Sequence, residues 1–269
     1  MANARRGFTL LEFVLTITIL ALLAGGVVVE RALVRSAALK SIVREQHTYV
    51  TAVAKFYLAY RGNPGDFNRA TAIWGRQLDR PSCISHGKPS GSGIGACDGN
   101  SDGWVTTDTL PLHGEPTEGT QFWRHLSLAG MLEPTYSGVM AQSEEGSKYF
   151  CRPGTDCPAS KMPKAAWTIM GQRGFFGGDD IFFGTSYGHA LIFGYAAPTD
   201  GPPWKPVLTP EEAFDIDTKM DDGRPGRGKV LALYWNQTCT NAKSAIDYSA
   251  QYRLDDDTIQ CALAFARQF

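Results

Sequence analysis

The chain has 269 residues, 43% of them hydrophobic, with 26 Lys and Arg against 27 Asp and Glu for a formal net charge of −1. It is long enough to bury a substantial core, and its charge is dispersed rather than gathered into a basic stripe, which sets nucleic acid aside as a partner. Gly and Pro crowd the chain after residue 60, predicting helix at the front and a loop-rich body of short strands behind it.

Arg5 and Arg6 precede Gly7, and an apolar run then covers residues 8–29 with one charge inside it, Glu12. As a helix that run is about 33 Å long, enough to span a bilayer. Glu30, Arg31 and Ala32 follow, with no small-x-small cleavage site before them. The apolar segment is therefore expected to stay in the mature chain rather than leave as a secretory signal. Flanking charge does not orient it, because Arg31, Arg35, Lys40 and Arg44 stand on its far side. An ionisable group inside an apolar span is costly without a partner, so Glu12 either finds one or snorkels to the interface of a plain anchor.

Gly7-Phe8-Thr9-Leu10-Leu11-Glu12 resembles the type III signal of type IV prepilins and type II secretion pseudopilins. The resemblance implies that prepilin peptidase cuts between Gly7 and Phe8 on the cytoplasmic side and methylates the new amine of Phe8, leaving Glu12 fifth in the mature chain. In a filament, the positive amine of Phe8 on one subunit would meet Glu12 of its neighbour, a charge-assisted pair that also sets axial register. The implied function is a non-enzymatic structural subunit, a minor pilin or pseudopilin of a type IV pilus or type II secretion pseudopilus. Its implied partners are prepilin peptidase, other pilin or pseudopilin subunits and an inner-membrane assembly platform. The implied location is a single pass through the inner membrane of a Gram-negative bacterium, with the C-terminal domain in the periplasm, then a filament or the cell surface. A membrane-anchored periplasmic adhesin and a periplasmic hydrolase are the alternatives.

Beyond Glu30 the pattern turns amphipathic, with Leu39, Ile42, Gln46, Tyr49, Val50, Val53, Phe56, Tyr57 and Tyr60 at three- and four-residue steps. One helix is expected to reach about residue 60 and to stop at Gly62-Asn63-Pro64-Gly65. The expected division is a leader at 1–7, a membrane and assembly half-helix at 8–29, an amphipathic half-helix at 30–60 and a periplasmic body at 61–269. By resemblance the fold class is α+β and pilin-like. A long N-terminal α-helix, its first half membrane-spanning, packs on a small antiparallel β-sheet, with many loops and disulfides. A second helix is expected over residues 121–132, and strands over 181–185, 189–196 and 229–235. Segments 63–74, 123–132 and 216–230 are similar to stretches of a pilin-like subgroup in proteobacteria.

All six cysteines lie beyond residue 80. Their even number and the lack of zinc-ligand spacing indicate disulfides in an oxidising compartment. Fifteen connectivities are open; loop-closure entropy favours the neighbouring pairs Cys83–Cys97, Cys151–Cys157 and Cys239–Cys261.

Asp98, Asn100, Asp102 and Gly103 spell the opening of a calcium loop, in which alternate oxygens converge and the glycine permits a sharp turn. Thr109 holds the position of the usual bidentate glutamate, with Asp108 before it, so a Ca2+ site and a plain Asx-rich turn both stand. A second acidic stretch, Asp215, Asp217, Asp221, Asp222 and Gly223, reads as a solvated turn. Ser186 sits in a Gly-x-Ser-x-Gly frame, but the one histidine after it is His189, so the frame reads as a hairpin turn and no catalytic residue is assigned. Residues 223–230 approach a phosphate-binding loop, yet Val230 replaces the hydroxyl and a strand is expected next. The five histidines form no His-Glu-x-x-His pair and are expected on the surface or in the core. Loops 81–107 and 136–162 are the candidate contact surfaces.

Overall fold

The computed structural model describes residues 9–77, 83, 95–107, 116–142, 149–174, 177, 180–197 and 201–269, with the side chains of 23–32, 142, 149, 172, 237 and 238 outside the description. Helix α1 runs from Leu10 to Tyr60, 51 residues, or about 77 Å. No proline interrupts it before Pro64, and it stops where Arg61 turns left-handed at φ 57° and its N–H bonds the Tyr57 carbonyl. Gly62 and Pro64 then keep the chain from continuing as helix.

The two halves of α1 differ in what covers them. Residues 9–22 are exposed throughout, Leu10 at 84% and Leu22 at 77%. From Ala38 onward one face is buried, through Ile42, Tyr49, Val53 and Phe56. Among the described residues no helix is long and apolar enough to cross a membrane; the span expected at 8–29 falls partly on residues outside the description.

The buried face of α1 lies on a four-stranded antiparallel sheet, in which β3 is Ala165–Gln172, β4 Gly188–Tyr195, β5 Val230–Leu233 and β6 Ala262–Phe265. Their spatial order is β3-β4-β6-β5, with Trp167 opposite Phe193 and Leu191 opposite Phe265. A separate two-stranded ribbon pairs β1, Ala141–Gln142, with β2, Tyr149–Phe150. Among the described residues the remaining helices are α2 (Ala70–Trp74), α3 (Glu118–Leu128) and α4 (Pro210–Met220), with one π-helical turn at Trp235–Cys239. Tyr49 of α1 meets Trp123 of α3 and Trp167 of β3 edge-on, at ring-centroid distances of 5.2 and 5.5 Å. This aromatic junction is where helix, sheet and second helix share one core.

Several expectations need correction. The second helix starts at Glu118 and ends at Leu128, because Thr117 caps it reciprocally with Thr120. Residues 181–185 do not form a strand: the Ile181 carbonyl accepts from Tyr234 N and Gly184 N donates to Ala245, two separate segments rather than one ladder. Strands β3 and β6 and helix α4 were not expected. β3 buries Ala165, Ala166 and Trp167 in succession, which erases the alternation that marks a half-buried strand.

Candidate functional site

The start of α1 is built by two side chains. Thr9 is the N-cap, and its hydroxyl accepts the Glu12 N–H at 3.2 Å while Glu12 Oε2 accepts the Thr9 N–H at 2.9 Å. The Thr9 hydroxyl also donates to that carboxylate oxygen at 2.9 Å. This capping box satisfies two of the donors a helix start leaves open and places a carboxylate at the positive end of the helix dipole. Gly7 and Phe8, the residues expected to be cut and methylated, lie outside the described residues.

Every described side chain from Leu10 to Leu22 is exposed. An apolar half-helix with no partner among the described residues of its own chain is a surface for lipid or for other helices.

Among the described residues, polar side chains of α1 pin the body at several points, two of them built around a charged group, and Gln46 adds a third by donating to Gln268. Arg35 grips Glu212 with its Nε and Nη2 at 2.6 and 2.5 Å and also donates to the Val207 carbonyl at 3.0 Å. Glu212 is at the same time the third helical residue of α4, in a capping box with Thr209. Higher up, Glu45 accepts the Trp167 indole N–H at 2.8 Å and the Lys161 N–H at 3.0 Å. Neither charged pin was foreseen, although Thr209-Pro210-Glu211-Glu212 carries an N-terminal helix signature.

The three residues of the candidate calcium loop are already engaged, by one another and by side chains and backbone far along the chain. Asp98 accepts Thr71 N and the Thr71 hydroxyl at 2.7 and 2.8 Å. Asn100 accepts Asp102 N, and Asp102 accepts Trp104 N and pairs with Arg173 at 2.5 Å. Buried Asp66 organises the turn from outside, accepting Asp102 N and Gly103 N at 3.0 Å each; burial raises its carboxyl above the ordinary value. Asp108 and Thr109 lie outside the described residues.

Three carboxylates do converge elsewhere. Asp217, Asp221 and Asp222 bring oxygens within 4.8 Å of one another and could hold an ion. Asp217 is fully buried, accepts the Tyr252 hydroxyl at 2.9 Å, and is pushed up to about 7 by burial, with Asp221 and Asp222 adding to the rise. The oxygens are already engaged: Gly223 N donates to Asp217, Lys229 N and Val230 N to Asp221, and Arg224 N and the Arg227 guanidinium to Asp222.

Ser186 is exposed, and the ring of His189 is engaged with Val105 N and the Phe269 carbonyl. His125 is a core residue: Nδ1 accepts Gly65 N and Nε2 faces the Cys97 carbonyl, both at 2.9 Å. The cysteines pair as Cys83–Cys97, Cys151–Cys157 and Cys239–Cys261.

A long N-terminal helix on a four-stranded antiparallel sheet, stapled by three disulfides, is a pilin-like α+β architecture. Residues 2–28 match the family described as the prokaryotic N-terminal methylation motif, the prepilin-type signal typical of type IV pilins and pseudopilins. The motif implies processing by prepilin peptidase, an N-terminal membrane anchor before assembly, and assembly with other pilins. No curated protein and no solved structure matches the chain.

Proposed function

We propose that this protein is a non-enzymatic structural subunit, a minor or specialised pilin or pseudopilin, that polymerises into a type IV pilus or a type II secretion pseudopilus. The observation that carries the reading is Glu12, a carboxylate in an exposed apolar half-helix within the methylation motif of residues 2–28. Residues 1–7 leave as the leader, residues 8–29 hold the inner membrane and then the filament axis, and the body beyond residue 60 faces the periplasm. Cleavage frees the amine of Phe8, which then pairs with Glu12 of a neighbouring subunit and fixes the step between them.

The large body, and loops such as 95–107 that are tied down by long-range bonds, favour a specialised position over the repeating shaft. Mass spectrometry of the mature N-terminus tests the reading. A chain beginning at N-methylated Phe8 is expected, whereas an intact Met1 or a start beyond residue 29 overturns it.

A further inference from the structure

Strand β3 is an edge of the sheet, and its outer side is covered at both ends but not in the middle. Ala196 N, just past β4, bonds the Lys164 carbonyl, so Ala190, Ile192 and Gly194 turn their backbone groups toward β3 and meet Met170, Thr168 and Ala166. Trp167, Ile169 and Gly171 therefore turn theirs outward. Pro158 O accepts Trp167 N, but a proline has no N–H to return to the Trp167 carbonyl. Before Pro158 the chain swings off the edge, where Asp156 N bonds the Arg152 carbonyl and the Cys151–Cys157 disulfide closes a tight loop. At the far end the Thr107 hydroxyl accepts Gly171 N at 3.1 Å. Between these covers, no bond among the described residues reaches the Ile169 N–H, the Ile169 carbonyl or the Trp167 carbonyl.

The gap borders a cavity of about 60 Å³, walled by Thr168 and Ile169 of β3, by Gly119 and Trp123 of α3, and by the disulfide loop with Asp156. The Trp123 side chain is 1% exposed, and its indole N–H has no hydrogen-bond partner. Ile169 is 4% exposed. Two open donors and two open carbonyls in so sheltered a place are what one more extended backbone satisfies.

We propose that the open middle of β3 receives a short extended peptide segment of a different protein, which adds about two or three residues to the edge and sets a small apolar side chain in the cavity. The volume admits only a small group. No Lys, Arg or His lines the cavity, and the Asp156 carboxylate on its wall is committed to Arg152 and Ser137, so nothing there balances a chain-terminal carboxylate. The segment is therefore internal to its chain. A second copy cannot offer its own β3, because the covers at Pro158 and Thr107 flank the same gap there and would meet those of the first. The contact suits the specialised position proposed above but does not rest on it, since the gap belongs to the single chain.

The test is nuclear magnetic resonance of the full-length, disulfide-intact chain in detergent micelles, titrated with the blocked peptide acetyl-Ala-Val-Ala-Val-amide. The Ile169 amide and the Trp123 indole N–H are expected to shift together along one binding curve, and Ile169 exchange to slow by about tenfold at saturation. The same peptide N-methylated at every internal amide loses its donors for the β3 carbonyls and is expected to move neither signal. Signals that the blocked peptide leaves in place, or equal shifts from the methylated peptide, overturn the proposal. Tighter binding of the free-acid peptide would assign the gap to a chain end, and concentration-dependent shifts without peptide would assign it to a second copy; either result also overturns the proposal. Failure of the processed chain to form filaments overturns the assembly reading and leaves this measurement to decide the peptide contact.

Discussion

The indole N–H of Trp167 donates to the carboxylate of Glu45 at 2.8 Å, across the seam between the long helix and the sheet. Trp167 is fully buried and packs its ring on Tyr49, Phe193 and Phe265. The other Glu45 oxygen takes the Lys161 N–H, so one helical side chain holds both β3 and the turn leading into it. Glu45→Ala leaves two donors without their acceptor and is expected to cost about 1–3 kcal/mol. Glu45→Gln retains an acceptor and should lose less. Denaturant titration of the disulfide-intact chain in detergent measures both; two variants as stable as the parent would mean that aromatic packing alone holds the seam.

His125 gives stability a pH dependence of defined sign. Nδ1 accepts from Gly65 N, which places the proton on Nε2 facing the Cys97 carbonyl, so the ring works as a neutral bridge. Burial first, with Arg124 adding, lowers it from 6.5 to about 4. The unfolded chain then takes up the proton before the folded one, and the contribution present above pH 6.5 is lost as pH falls toward 4. The full loss is about 3 kcal/mol. His125→Gln removes the titration and should flatten the melting-temperature profile between pH 6.5 and 4. An unchanged slope in that variant would assign the acid sensitivity to other groups.

What was legible in the sequence was what neighbours in sequence decide. Thr9 and Glu12 sit three residues apart, and Gly62 and Pro64 follow the last apolar position, so α1 and the processing signal could be read directly. β3 could not: Ala165, Ala166, Trp167, Ile169 and Met170 are all buried, which removes the period of two. Residues 181–185 have strand composition, but distant backbone at Tyr234 and Ala245 claims them. The spacing of Asp98, Asn100 and Asp102 was readable, whereas Thr71 and Arg173, which engage two of them, come from far along the chain.

Arg35 and Glu212 predict a graded series at the junction of α1 and α4. Arg35→Ala removes the ion pair and the bond to Val207, and partial exposure limits the expected loss to about 1–2 kcal/mol. Glu212→Ala should lose more, because the capping box of α4 goes with the pair. Glu212→Gln keeps the box and loses the charge, and should fall near Arg35→Ala. Amide exchange across residues 35–45 and 209–213 reads the effect locally. Equal protection in all three variants would show that the apolar contacts of Ile42 and Ile216 suffice.

Glu12 serves the helix and, by our proposal, the filament, and three substitutions at its capping box separate the roles. Thr9→Ala breaks the box and leaves the carboxylate. Glu12→Gln can keep the box, since an amide caps as well as an acid does, and removes the charge. Glu12→Ala removes both. If the charge serves a neighbour's amine, both Glu12 variants should reach the membrane at parental levels yet lose filament yield at least tenfold, while Thr9→Ala assembles nearly as the parent does. If the box is what matters, Thr9→Ala and Glu12→Ala should fail together and Glu12→Gln should assemble. Membrane fractionation and counts of sheared filaments, taken from the same cells, distinguish these two patterns, because the helix cap acts within one chain and the charge pair needs two.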